Sequence, residues 1–471
     1  MSSQEKKEKR RGSGFRILGM SPSEISKEFF SSNTGKVASA LFVILVIVSI
    51  YSYFALPPNF GAVWNNPSYW KFNPVDAPPA WINYFTTQKL APQVEITPPQ
   101  SVVHYHGVTY ITSTISVADP YDVPWQDIYV LFNGIPANAS VALQLTIYRP
   151  DGSSISIGPL TPSGGYIDLA SSSQVKDQIL SFFSSNGQSL NLAPTQSAIP
   201  LLFQAYKDGK LTSLNGNYTI KLLATVFNVG SVGSSPVSII MRGNVYGLMG
   251  TDFEGHDLWE GLLAGFPIDL EIGIVSALIT MVIAIVVGIM SGYFKGWIDE
   301  VLTRITDLVI TLPAFPLLIV FSVLFAWSLW DAIIFLSILS WGGAARIIRS
   351  MIMQIREAQY IEGAKIIGAR GSWILRNHIL PQIMPYSLYL LVTSAPGAIL
   401  TISALNFLNL AGSAYPTWGN LLYWADDTGA LYAGMWWWVV PPGLLIAFVA
   451  VVFILIAIAS EPVVNPRLRY G

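Results

Sequence analysis

Four histidines and no cysteine leave this 471-residue chain few side chains that bind metal or attack a carbonyl. Without thiolates there is no disulfide framework, no sulfur-ligated metal site and no cysteine nucleophile. His104 and His106 alternate on a segment that reads as a strand, so their rings would share a face. Two ligands do not close a zinc site, and surface or packing roles are expected for both. Gly35-Lys36 lacks the upstream glycine of a phosphate-cradling loop and is followed by Val37 where a hydroxyl would be needed. There is no G-x-S-x-G elbow and no H-E-x-x-H helix. No catalytic residue, metal site or cofactor is therefore expected in the chain itself.

The residues that could do work instead form a contact surface. From Arg349 to Pro381 about 30 residues alternate between charged, small and apolar types, far more than a loop between two helices needs. Reading Gln354 to Ile367 at helical spacing, Ile355, Ala358, Ile361, Ala364 and Ile366 or Ile367 fall near one side. The helix expected there carries a small-residue patch at Gly363-Ala364, with Gly368 as its stop. Small residues let another backbone approach closely, and Glu362 offers a charge for a partner or a helix end. A helix lying flat on a membrane would read the same way, so the two uses stay open on the residues alone.

The elements around that segment are those of a membrane protein. Hydrophobic residues make up 52% of the chain and charged ones 11%, poor material for a wholly solvated surface. Uncharged runs over 37–56, 272–294, 308–330 and 428–460 reach the roughly 20 residues a bilayer crossing requires. Six spans are expected, at about 37–56, 270–294, 301–327, 331–350, 383–410 and 437–460. Lys6, Lys7, Lys9, Arg10, Arg11, Arg16, Lys27 and Lys36 precede the first. They suit a cytoplasmic anchor for an uncleaved helix, since the run is long for a signal peptide and ends in Leu56-Pro57-Pro58.

With the N-terminus inside, the loop between spans 4 and 5 is cytoplasmic and holds Arg346, Arg349, Arg356, Lys365, Arg370 and Arg376. The short external segments near Asp331 and at Asp426 and Asp427 have no Lys or Arg, so both termini are expected in the cytoplasm. Asp307 is expected to pair with Arg304, Arg346 or Arg349 near that interface. Pro313, Pro316 and Pro396-Gly397 would kink their helices, and Trp436, Trp437 and Trp438 read as an interfacial belt.

Residues between the first two spans differ in kind. Short alternating runs at 102–105, 128–131, 141–148, 218–223 and 237–241 read as strands, with turns at Pro150-Asp151-Gly152 and Asn215-Gly216-Asn217. One short helix fits 175–186. The sequons at Asn138 and Asn217 matter only in a glycosylating organism. The fold class expected is thus an α-helical membrane protein of about six transmembrane helices. A large β-rich extracytoplasmic domain, a sandwich by its strand spacing, is inserted between helices 1 and 2. The boundaries are a cytoplasmic segment 1–36, helix 1 at 37–56, the β-rich domain at 57–245 with 57–265 mostly outside, and a membrane core at 246–471.

One stretch narrows the function. Arg356-Glu357-Ala358-Gln359-Tyr360-Ile361-Glu362-Gly363-Ala364-Lys365-Ile366-Ile367-Gly368-Ala369, with His378-Ile379-Leu380-Pro381, resembles the EAA loop of binding-protein-dependent ABC importers. Glu362-Gly363-Ala364, Gly368 and Leu380-Pro381 fall at matching distances. Gly363 replaces the pattern's first alanine and His378 an isoleucine; His-Ile-Leu-Pro is common in the dipeptide/oligopeptide/nickel branch. Over about 248–470 the chain is similar to that branch's C-type permease subunit. Gly250-Thr251-Asp252-Phe253-Glu254-Gly255-His256-Asp257, Ser291-Gly292-Tyr293 with Gly296-Trp297-Ile298-Asp299, Leu405-Asn406-Phe407-Leu408 and Pro416-Thr417-Trp418-Gly419-Asn420 carry the likeness.

The resemblance implies a transport subunit without its own ATPase site. Its coupling loop would be at about 354–381, with Glu357, Ala358, Glu362, Gly363, Ala364, Gly368, Leu380 and Pro381 as the ATPase-coupling residues and Glu362, Gly363, Ala364 and Gly368 forming the coupling helix. It implies as partners a second homologous permease, two ABC ATPase subunits using ATP and Mg, and an extracytoplasmic substrate-binding protein. Lipid surrounds it and nucleic acid is not expected. Peptides are the expected solute, with oligosaccharides as the alternative. A membrane-anchored surface-binding protein or a secondary transporter are the rival classes. The family pattern lacks the long insertion, which would be either a docking platform for the binding protein or a cap over the external mouth.

Overall fold

The computed structural model describes residues 22–135, 139–207, 209–227 and 236–464. The basic residues expected to anchor the first span, apart from Lys27 and Lys36, and the Asn138 sequon lie outside the described residues. The chain divides into two compact units, residues 66–259 and the remainder.

The 66–259 unit is a two-sheet sandwich. One sheet has the order β1-β11-β4-β7, with β1 Val94–Ile96, β4 Asp127–Phe132, β7 Tyr166–Asp168 and β11 Val237–Arg242. The other runs β2-β3-β10-β5-β6, with β2 Gln100–Tyr105, β3 Val108–Asp119, β5 Ser140–Tyr148, β6 Ser154–Leu160 and β10 Gly216–Phe227. A hairpin of β8 Gln204–Lys207 and β9 Lys210–Ser213 stands apart, and all strand pairs are antiparallel. Register follows from alternation. Tyr218, Ile220, Leu222, Ala224 and Val226 of β10 point inward, with Ile220 opposite Ile115 and Ile147. A slip of one residue would turn this whole row to solvent. Ile128, Val130, Ile239 and Met241 close the core from the facing sheet, and Val175, Ile179 and Phe183 of the helix Ser173–Ser185 cover its edge. Trp125 is sealed inside and donates Nε1–H to Pro92 O at 2.8 Å.

The expected turn at 150–152 joins β5 to β6, with Gly152 at φ +83°. His104 sits on β2 with Nδ1 2.8 Å from Thr109 Oγ1. His106 does not share that strand face: β2 ends at Tyr105, and His106 occupies the following turn at φ +48°. Within Gly250–Asp257, Asp252 accepts the amides of Glu254 and His256, both at 2.9 Å, and its other oxygen lies 2.6 Å from His256 Nδ1. That stretch is a side-chain-closed turn.

The second unit is helical: α1 Asn33–Ala55, α2 Leu258–Tyr293, α3 Trp297–Thr311, α4 Ala314–Phe325, α5 Leu329–Arg356, α6 Gln359–Ile366, α7 Leu380–Phe407, α8 Trp418–Asp427 and α9 Trp436–Val464. Among the described residues five stretches, containing α1, α2, α5, α7 and α9, are long and apolar enough to cross a bilayer. A sixth among them exists if α3 and α4 count together. The continuous span expected over 301–327 is instead bent by 80°. Pro313 disfavours helical backbone at Leu312, which turns extended at ψ 132°. Pro316 falls in the first turn of α4, where a missing N–H costs nothing. Pro396, by contrast, stays inside an unbroken α7. Nor do the three tryptophans form an exposed belt: Trp437 and Trp438 are buried and only Trp436 is open. In α2, Gly288 and Gly292 allow the close approach of α5, since a Cβ at either would lie within 3 Å of Ile348 or Ile352.

Candidate functional site

The segment expected to be one helix over 354–367 is two. α5 continues to Arg356, Glu357 closes it, and α6 starts afresh with Ala358 as its extended N-cap (ψ 141°). Arg356 ties the end of α5 to the end of α2. Its Nη1 donates to Gly292 O at 2.9 Å and Tyr293 O at 3.3 Å, satisfying carbonyls that the end of α2 would leave open. Glu357 is exposed and lies 3.2 Å from both Lys295 Nζ and Arg356 Nε. Hydrogen bonding to Lys295 holds its carboxyl below the usual glutamate range.

The far end of α6 is closed by backbone geometry. Ala369 N donates to Ala364 O and Gly368 N to Lys365 O, each at 3.0 Å, with Gly368 at φ +85°. This is the paired C-terminal cap that favours glycine at its left-handed position. A short helix Gly371–Ile374 and a π-helical turn Leu375–Ile379 then lead into α7, whose first two residues are Leu380 and Pro381, both partly buried.

α6 has two dissimilar faces. Ile361 and Ala364 are buried with Ile348, Ile352, Ile374, Ile379 and Ile383, and Ala358 packs against the same cluster. Gln382 donates to Tyr360 Oη at 2.8 Å, tying α6 to α7. On the other side Glu362 and Gly363 are exposed, and an added Cβ at Gly363 would meet nothing within 4 Å. Ile366 and Ile367 do not join the buried side as their spacing suggests; they are 80% and 83% exposed. Ile366 lies five residues beyond Ile361, on the opposite side of the helix, and Ile367 is already the C-cap. With half-exposed Trp373 and the guanidinium groups of Arg370 and Arg376, Ile367 lines a shallow groove. The adjacent Ile366-Ile367 pair, more apolar than one helix stripe can bury, was the sequence signal for this surface.

The platform beneath is held by ions near one end of the helical unit. Asp299 of α3 receives Arg349 Nε and Nη2 at 2.7 and 3.0 Å, and Asp307 pairs with Arg346, one of its expected partners. Asp269, buried in α2, accepts the amide of Trp418 at 3.1 Å, while Trp418 Nε1 donates to Leu262 O at 2.9 Å. This contact fixes the N-terminus of α8, where a carboxylate suits the helix dipole. The Trp418-Gly419 motif is thereby accounted for as packing.

A bundle of apolar helices long enough to span a bilayer, with a compact loop bolted to it on one face and bare on the other, defines a multi-pass membrane protein. The model of the binding-protein-dependent transport system inner membrane component family matches residues 284–470, and the chain belongs to that family. It is 30% identical over 221 residues to the dipeptide transport system permease protein DppC of Bacillus subtilis, covering 47% of this chain and 68% of that protein. It is 29% identical to the oligopeptide transport system permease protein OppC of the same organism, over 47% of this chain and 72% of that one. Among solved structures, inward-facing MetNI methionine ABC transporter matches with a TM-score of 0.31 and 20% identity, over 42% of this chain and 91% of that chain. By its family and its permease relatives the chain is an ABC importer permease subunit. The sandwich of residues 66–259 lies outside the matched family region.

Proposed function

We propose that this subunit forms half of a translocation pathway for peptides and that α6 is the element through which cytoplasmic ATPases drive it. The observation that carries the reading is the two-sidedness of α6. A helix only eight residues long is seated on α5 and α7 through Ile361 and Ala364, yet presents Glu362, Gly363, Ile366 and Ile367 outward. Exposed isoleucines beside a glycine that leaves room for an approaching backbone suit a protein groove. Displacement of such a docked helix would be felt directly by the spans beneath, because the contact is close-packed. ATP and Mg act in the partner ATPases, two per assembly. A second homologous permease and an extracytoplasmic binding protein complete it.

Orientation in this reading follows the basic residues of the α5–α7 loop. Both termini and this loop are cytoplasmic, and residues 57–245 face outward. The peptide assignment rests on the names of the two Bacillus relatives. Affinity purification from native membrane in mild detergent, with mass spectrometry and an ATPase assay, tests the assembly. A second permease and ATPase subunits are expected to copurify, with the ATPases lost on Gly363→Glu. Because nothing in the chain crowds position 363, the variant should fold, so its normal import would count against coupling through α6. Recovery of the chain alone, without nucleotide hydrolysis, would move the protein to the anchored-binding or secondary-transport classes.

A further inference from the structure

Inside the helical unit, α2, α4, α5 and α7 enclose a cavity of about 280 Å³ lined by five hydroxyls: Ser276 and Thr280 from α2, Ser340 from α5, and Ser394 and Thr401 from α7. No charged side chain lines it. Ser394 and Thr401 donate back to Leu391 O at 2.8 Å and Gly397 O at 2.7 Å, which leaves their lone pairs free to accept. Ser276 Oγ is buried and has no hydrogen-bond partner among the described residues. A buried hydroxyl without a partner is costly, and a solute group that hydrogen-bonds to Ser276 would remove that cost.

The polar residues are also segregated. Ser276 and Thr280 are one turn apart on one face of α2, whereas the opposite stripe of Ile274, Leu278, Val282 and Val286 is exposed and wholly apolar, as a lipid-facing stripe should be. The cavity does not close on itself. Ser340 and Gly397 at its rim are exposed, Thr401 is half-buried, and a Cβ at Gly397 would meet nothing within 4 Å. Its volume lies just below the usual range of a complete small-molecule site.

We propose that this cavity is half of a solute-binding subsite in the membrane, taking uncharged hydrogen-bonding groups such as peptide amides or sugar hydroxyls, with the second permease supplying the other half. The proposal rests on the importer reading above and deepens it. Ser394 and Thr401 can accept from a chain of amides and the partnerless Ser276 hydroxyl can donate to it, and none of the five hydroxyls offers a counter-charge to an ionised end. Phe315, at the break between α3 and α4, stands at the rim, so a movement of the broken span would change the cavity's access.

The test exploits the absence of cysteine in the chain. Gly397→Cys, with Thr401→Cys as a second site and Leu278→Cys as the lipid-face control, is placed in the native assembly in membrane vesicles and treated with a water-soluble methanethiosulfonate. Reaction needs a thiolate and hence water, so the thiols of Gly397→Cys and Thr401→Cys should react at least about tenfold faster than that of Leu278→Cys. An excess of trialanine should slow the two cavity variants several-fold. Slowing by maltotriose instead would keep the subsite and assign the hydroxyl source. If Gly397→Cys and Thr401→Cys were both unreactive in an assembly that still hydrolyses ATP, the subsite would be overturned and the importer reading would stand. Reaction that neither probe slows would make the cavity a water-filled void and equally overturn the proposal.

Discussion

The outer isoleucines of α6 offer the sharpest separation between folding and coupling. Ile366 and Ile367 are 80% and 83% exposed, so Ile366→Ala/Ile367→Ala removes almost no contact from this chain. Each change should alter stability by no more than about 0.5 kcal/mol, as surface substitutions do. If both side chains enter a groove of the ATPase, each loses about three buried methylene equivalents, worth about 2 kcal/mol, or roughly thirtyfold in affinity. Because the two are neighbours the effects will not add fully, and a loss of two to three orders of magnitude is expected for the pair. Ile361→Ala is the mirror experiment. Its side chain is wholly buried among five other isoleucines, so truncation should cost this chain about 2–5 kcal/mol while leaving the outer face chemically intact. The assay is titration of purified ATPase subunits onto the chain in nanodiscs, alongside thermal unfolding. Unchanged ATPase affinity in the double alanine variant, with unfolding also unchanged, would refute the docking role of that face.

Three further outcomes follow from the geometry. Gly292→Val should loosen the α2–α5 contact by about 1–3 kcal/mol, because its Cβ would sit 2.9 Å from Ile352 Cβ and 3.0 Å from Arg349 O; a lower unfolding temperature checks this. Gly368→Ala should cost about 1 kcal/mol at its left-handed φ of +85° and raise backbone amide exchange over 364–369, whereas Gly363→Ala should leave exchange there unchanged or slower. In the sandwich, burial lifts the Asp119 carboxyl to about 6, and its Oδ2 has no partner among the described residues. A folded-state value raised above the unfolded one means that the contribution is fully present below the unfolded value and is lost as pH rises through the folded value. Unfolding stability should therefore fall between about pH 4 and 6, by up to about 3 kcal/mol for this group, and Asp119→Asn should flatten that slope.

Long, one-sided patterns were the legible part of the sequence. Strands at 140–148 and 216–227 show through because alternate residues must enter one core, those at 127–132 and 237–242 because a short apolar run is buried almost throughout, and the helix Ser173–Ser185 because Val175, Ile179 and Phe183 recur at its turn. Helix ends were legible where chemistry is local, as at Gly368. What the pattern hid were departures set by distant partners. α2 starts at Leu258, twelve residues before the span expected from 270, since Glu260, Asp269 and Glu271 interrupt the apolar pattern while Asp269 is held inside by the Trp418 amide. Composition registers that carboxylate as a charge and cannot register its partner 149 positions away.

The loop between α5 and α7 shows the same division at closer range. Periodicity grouped Ile355, Ala358, Ile361 and Ala364 correctly, because those residues share one cluster in the fold. It runs one helix across Glu357 because nothing local forbids it; at the break Arg356 reaches the carbonyls of Gly292 and Tyr293, 64 and 63 residues earlier. The break has a consequence for mechanism. A single helix continuous with α5 would carry any push along its own axis into one span, whereas a separate α6 leans on α5 through Ile348 and Ile352 and on α7 through Ile383 and the Tyr360–Gln382 bond. Force applied to its outer face would thus be divided between two helices that both line the hydroxyl-bearing cavity, which is the arrangement needed if a partner's movement is to change that cavity's shape and not merely its depth.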